Sequence, residues 1–141
     1  MNRKSVFVLC VVFTLGIAAG AFGKKGFDTS LYHSKDKREA ARALLVVAKQ
    51  QAGKGSWERI GVGRVYWEAG EWDKAKAAFE KSLAKNPNDD KGLAELGAYY
   101  LIKGDRAKAE ELFDKSYSIE QGEVWNTAMI AGGYLGVKPQ E

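Results

Sequence analysis

The sequence predicts an all-α protein, a short solenoid of helix-turn-helix units behind an N-terminal segment of a different kind. Three observations point there. The chain repeats itself at an offset of 34 residues. Apolar residues within the repeat recur at three- and four-residue spacing, as on one face of a helix. Composition is rich in Ala, Lys, Glu and Leu and holds only two Pro, which favours helix over sheet.

The repeat is seen by sliding the chain against itself. At a shift of 34, Gly63 falls on Gly97, Tyr66 on Tyr100, Gly70 on Gly104, Lys74 on Lys108, Ala75 on Ala109 and Phe79 on Phe113. Lys81 and Ser82 fall on Lys115 and Ser116. A further shift places Gly97 on Ala131 and Tyr100 on Tyr134. A backward shift places Ala75 on Ala41 and Phe79 on Leu45. Each unit reads as a first helix (Ser56–Ala69, Asp90–Lys103) and a second (Glu71–Lys85, Asp105–Ile119). Gly70 and Gly104 stop the first helices where the chain must turn. Asn86-Pro87-Asn88 stops the second helix of the first unit. Trp72, Ala75, Phe79 and Leu83 form one helical stripe.

The ends are incomplete. Residues 36–51 carry Ala41, Leu45 and Ala48 in phase with a second helix. Glu123–Leu135 matches a first helix and is followed by Gly136 and Pro139. About six helices, or 2.5 to 3 units, result, close to the minimum for a stable stack. The last helix bears Trp125, Met129, Ile130, Tyr134 and Leu135, more apolar surface than one neighbour covers.

These residues resemble the tetratricopeptide repeat family, whose pattern pairs a small residue with a Tyr three later, then an Ala, a Phe four on and a closing Pro. The first unit supplies Val62-Gly63, Tyr66, Ala75, Phe79 and Pro87; the second supplies Leu96-Gly97, Tyr100, Ala109 and Phe113. Arg59 and Leu93 stand where the pattern has an early Trp, and Gln121 where it closes on Pro. The resemblance implies that Gly63, Gly97 and Ala131 let helices approach closely, which must offset the cost of Gly in a helix. It also implies that first helices line a concave, partner-binding face. On that face it places Trp57, Ile60, Arg64, Trp67 and Glu68 from the first unit, Lys91 and Glu95 from the second, and Trp125 and Met129 from the last helix. Trp57, Lys91 and Trp125 lie one period apart. Some relatives clamp a chaperone's C-terminal carboxylate here with Lys and Asn. The matching positions are Ile60, Arg64, Glu95, Trp125 and Met129, only Arg64 is basic, and that clamp is not expected.

The N-terminus reads as an address. Asn2, Arg3 and Lys4 precede an apolar run from Val6 to Ile17, then Ala18, Ala19, Gly20 and Ala21. That order of charge, apolar core and small residues is that of a secretory signal, cut after Ala21 or Gly23. The alternative is an uncleaved inner-membrane anchor, since residues 6–22 are at the lower limit of a bilayer span. The expected organisation is a signal or anchor over 1–23, a flexible linker over 24–34 and a helical domain over 35–139, with a periplasmic or secreted location.

Cys10 is the single cysteine and lies in the apolar run. A cleaved chain therefore has no disulfide, thiolate metal site or Cys nucleophile. Residues 24–54 hold eight Lys/Arg against three Asp/Glu, and residues 55–141 hold twelve against fifteen. No dense basic patch with stacking groups appears, so nucleic acid is not an expected partner. His33 stands alone, Ser82 and Ser116 occupy small packing positions without a base, and Gly61-x-Gly63 lacks the strand and Lys-Ser/Thr of a phosphate loop. No enzyme, metal or cofactor is expected.

The leading expectation is thus an exported interaction or scaffold module. It binds a peptide or helix of an envelope protein in the groove or on the last helix. Two alternatives stand: a cell-wall glycan binder stacking sugars on Trp57, Trp67 and Trp125, and a stack that self-associates through Glu123–Leu135. Membrane contact is expected only through the N-terminal segment, if uncleaved.

Overall fold

The structure is a computed structural model and describes residues 26–53 and 55–139. The signal or anchor segment lies outside the described residues. Six α-helices form the described chain: α1 Lys37–Gln51, α2 Ser56–Glu68, α3 Trp72–Leu83, α4 Asp90–Ile102, α5 Arg106–Ile119 and α6 Val124–Tyr134. The segment expected to be a linker holds one turn of 3-10 helix, Thr29–Leu31, capped by Asp28. Among the described residues there is no strand, and no helix is long and apolar enough to cross a membrane.

Local chemistry sets the helix ends. Asp36, Asp89 and Asp105 precede α1, α4 and α5, and each side chain accepts from a backbone N–H of the first turn. This satisfies donors the helix cannot and places a negative charge at the positive end of its dipole. Gly70 and Gly104 follow α2 and α4 with φ of +74° and +92°, a region costly for other residues. The next amides then reach back in a repeated pattern: Glu71 N–H donates to Tyr66 O and Asp105 N–H to Tyr100 O, both at 2.9 Å. These paired closures are Schellman motifs one period apart.

α2 packs on α3 and α4 on α5 as hairpins, and α6 lies against α4. Gly63 and Gly97 make the hairpins tight. A Cβ built on Gly63 would meet the Phe79 ring at 2.9 Å, and one on Gly97 the Phe113 ring at 2.5 Å. Each hairpin is also tied by a serine. Ser82 Oγ donates to Ser56 O at 2.9 Å, and Ser116 Oγ to Asp90 O at 2.8 Å. The small packing positions read from the sequence therefore also carry a repeated buried hydrogen bond.

The central core joins α2, α3, α4 and α5 through Ile60, Phe79, Leu93, Leu96, Tyr99 and Leu112. A second cluster joins α1 to the first unit through Leu45, Val62, Tyr66 and Ala75. A third gathers Ala98, Ala109 and Phe113 beneath Met129 and Ile130 of α6. The close approach expected at Ala131 is made elsewhere. Ala131 is exposed, and Gly133 instead meets Ala98, where an added Cβ would lie 3.2 Å from the Ala98 Cα and Cβ. The reason is that no second helix packs behind α6 among the described residues, so α6 is seated only through its α4-facing side.

Candidate functional site: the concave groove

The first helices of the units, α2, α4 and α6, present their inner sides to one concavity. Its cavity measures about 400 Å³. Trp57, Lys91 and Trp125, one from each helix, stand along it at the 34-residue spacing, because each occupies the same place in its unit. Trp57 and Trp125 are 50% and 64% exposed, large apolar surfaces that a folded chain would otherwise bury. Ala128, Met129 and Gly132 of α6 complete that side.

Arg64 and Glu95 line the groove as a locked pair. Arg64 Nε and Nη2 donate to Glu95 Oε1 and Oε2, both at 2.7 Å. Glu95 is 2% exposed and the Arg64 side chain 25%. A bidentate fork of this kind matches guanidinium to carboxylate in one geometry. Its consequence is that Arg64 reaches the groove with its charge balanced, so it does not act as a lone cation. Tyr99, on the next turn of α4, is buried beneath it. Burial, and secondarily the Glu95 carboxylate, push its phenol well above the usual range.

Three residues expected in the groove, Ile60, Trp67 and Glu68, do not line it. Ile60 is wholly buried in the central core, because α3 and α4 close over that side of α2. Trp67 packs edge-on against Trp72 at 5.5 Å and tilted against Tyr99 at 4.6 Å. Lys103 covers its ring at 6.0 Å. The three-tryptophan set considered for sugar stacking is thus divided, two rings in the groove and one in the wall behind. Glu68 stands outside the lining, and Lys138, which belongs to it, meets the Glu68 Oε1 with its Nζ at 2.7 Å.

That contact reveals a wall the sequence did not disclose. After α6 the Schellman closure recurs at Gly136, φ +74°, with Val137 N–H donating to Gly132 O at 2.8 Å. After Gly70 and Gly104 the chain turns behind the first helix to form the second. After Gly136 it runs into the concavity, and Val137, Lys138 and Pro139 become part of the lining. Pro139 marks the end of helix in the sequence, but no residue pattern states the direction of the return.

A family model described as tetratricopeptide repeat matches residues 60–89. The chain is 28% identical over 122 residues to RNA polymerase-associated protein CTR9 of Caenorhabditis elegans, an alignment covering 84% of this chain and 9% of that protein. It is 41% identical over 58 residues to general transcriptional corepressor trfA of Dictyostelium discoideum, covering 40% of this chain and 4% of that protein. The chain therefore spans less than a tenth of the length of either relative.

Proposed function

We propose that this chain, a tetratricopeptide repeat solenoid, is an exported interaction module that holds a peptide or helix of an envelope protein in its concave groove. The repeat itself supports a protein-binding role. One observation carries the choice of groove: Trp57 and Trp125 stand half or more exposed on either side of Lys91, over a floor whose one bidentate ion pair is internally matched. Exposed aromatic anchors around a neutral floor suit an apolar segment with an acidic group near Lys91. Export rests on the charge and hydropathy order of residues 1–23. The two relatives' names concern transcription, but each aligns with this chain over less than a tenth of its own length. So short a likeness does not carry over a partner.

A photo-reactive residue at Met129 in the groove and another at Lys76 on the outer helix α3 test this in intact cells. Specific adducts to an envelope protein at Met129, absent at Lys76 and reduced at least tenfold by Trp125→Ala, support it. Equal labelling at the two positions, or adducts indifferent to Trp125→Ala, overturns the groove assignment. Adducts only to cytosolic proteins overturn export and leave the groove standing.

A further inference from the structure

Among the described residues the stack opens on a helix of the second kind, α1, and closes on one of the first kind, α6, and each leaves bare the side that its counterpart covers inside the intact units. α1 is in phase with the second helices. Ala75 and Ala109, its equivalents at Ala41, are both 0% exposed, yet Ala41 is exposed. α6 is in phase with the first helices. Gly63 and Gly97, its equivalents at Ala131, are buried, yet Ala131 is exposed. Along the same bare side of α6, Val124 is 67% exposed and Leu135 81%. Residues Val137–Pro139 leave α6 into the groove, where Lys138 meets Glu68, and so do not themselves cover that side.

We propose that α1 of one copy seats on α6 of another, completing a composite unit and joining copies head to tail. Side-chain size supports this pairing. In both intact units a glycine faces a phenylalanine ring, and a methyl on the glycine would overlap it at 2.9 and 2.5 Å. In the composite unit both members change together. The first helix carries Ala131, one methyl larger, and the second carries Leu45, which lacks the ring. The exchange keeps the total volume of the contact close to constant, the kind of change packed cores tolerate. The serine position is likewise apolar on both sides, Ala48 against the Val124 end of α6.

Charge agrees. In the hairpins the end of the second helix lies beside the start of the first, as the Ser82–Ser56 bond shows. The same register brings Lys49 at the end of α1 beside Glu123, and Glu120 just before it, at the start of α6. α1 bears Lys37, Arg38, Arg42 and Lys49 against Glu39 alone, whereas α6 carries no charge. Because the two surfaces differ, the contact is heterologous and can extend beyond a dimer.

The full chain in a Cys10→Ser background provides the test, with Ala41→Cys and Ala131→Cys made singly. Both sites are exposed, so helical content by circular dichroism stays that of the parent. Under mild oxidation, a mixture of the two variants gives a cross-linked heterodimer and neither alone gives more than a tenth of it. A chain bearing both substitutions gives a ladder. Ala131→Glu, in an otherwise unchanged chain, brings the mass by light scattering down to monomer over a tenfold range of concentration where the parent rises above dimer. Absence of the heterodimer, or equally efficient pairing of Ala131→Cys with itself, overturns the proposal. Protection of Ala41→Cys from maleimide in dilute monomer also overturns it, by showing that residues 1–25 cover α1. None of these outcomes bears on Met129 adducts, so the groove reading stands or falls separately.

Discussion

The same substitution should have opposite signs at two glycines of the solenoid. Gly61 and Gly97 both lie inside first helices, α2 and α4. A Cβ on Gly61 meets nothing within 4 Å. Gly61→Ala therefore gains the helix preference alone, about 0.5–1 kcal/mol. A Cβ on Gly97 lies 2.5 and 2.7 Å from the Phe113 ring and 3.2 Å from Ala109 O. The ring is 6% exposed, with the Tyr134 ring 6.1 Å away, and Ala109 O is backbone, so little of the contact can withdraw. Overpacking a core costs about 1–3 kcal/mol. After the propensity gain, Gly97→Ala should remain destabilising by about 1 kcal/mol, the middle of a range of roughly 0–2.5. Urea unfolding followed by far-ultraviolet circular dichroism reads both, with the slope in urea unchanged so that midpoints report stability. If Gly97→Ala is as stable as the parent, close approach at glycine is not what holds the hairpins together.

Arg64→Ala should destabilise by about 3–5 kcal/mol, because it strands the Glu95 carboxylate at 2% exposure. Glu95→Gln should cost less, since Arg64 is 25% exposed and keeps access to water; thermal melts of both variants check the order. Ser82→Ala and Ser116→Ala should each cost about 1 kcal/mol and add in the double variant, as they tie separate hairpins. Glu111 accepts from Lys108 and Lys115, both at 2.8 Å, and these bonds hold its carboxyl down at about 2, against an ordinary value of 4.5. Its contribution to stability is thus fully present above pH 4.5 and is lost as pH falls toward 2. Carbon-13 titration of the side chain should show the low midpoint, and Lys108→Ala, Lys115→Ala or molar salt should each raise it.

Six helices were legible in the sequence, each to within two residues at its ends, because capping and turning are local chemistry. Asp89 and Asp105 precede a helix whatever surrounds them, and Gly70 and Gly104 supply a left-handed turn whatever follows. The repeat also made Trp57, Lys91 and Trp125 equivalent, since a constant period puts such residues on one face, and the family resemblance identified that face as the groove. Ile60 and Trp67 were less legible. The family resemblance puts them on the inner side of α2, but whether α3 and α4 close over that side depends on how far each hairpin opens. The Arg64–Glu95 fork spans 31 residues and two units. Separately each residue reads as a groove charge, and only the approach of α2 to α4 makes them a neutral pair.

By itself, then, the sequence determined the fold class, the helix ends and the register of the repeat, all of which rest on contacts within one hairpin. Tertiary structure alone decided which residues of the inner face remain open and that Val137–Pro139 turns into the groove. It also decided that Ala41 and Ala131 are bare at opposite ends of the stack. The physical reason is range. Caps and Schellman turns are settled within a few residues, whereas exposure is a sum over every helix that packs nearby.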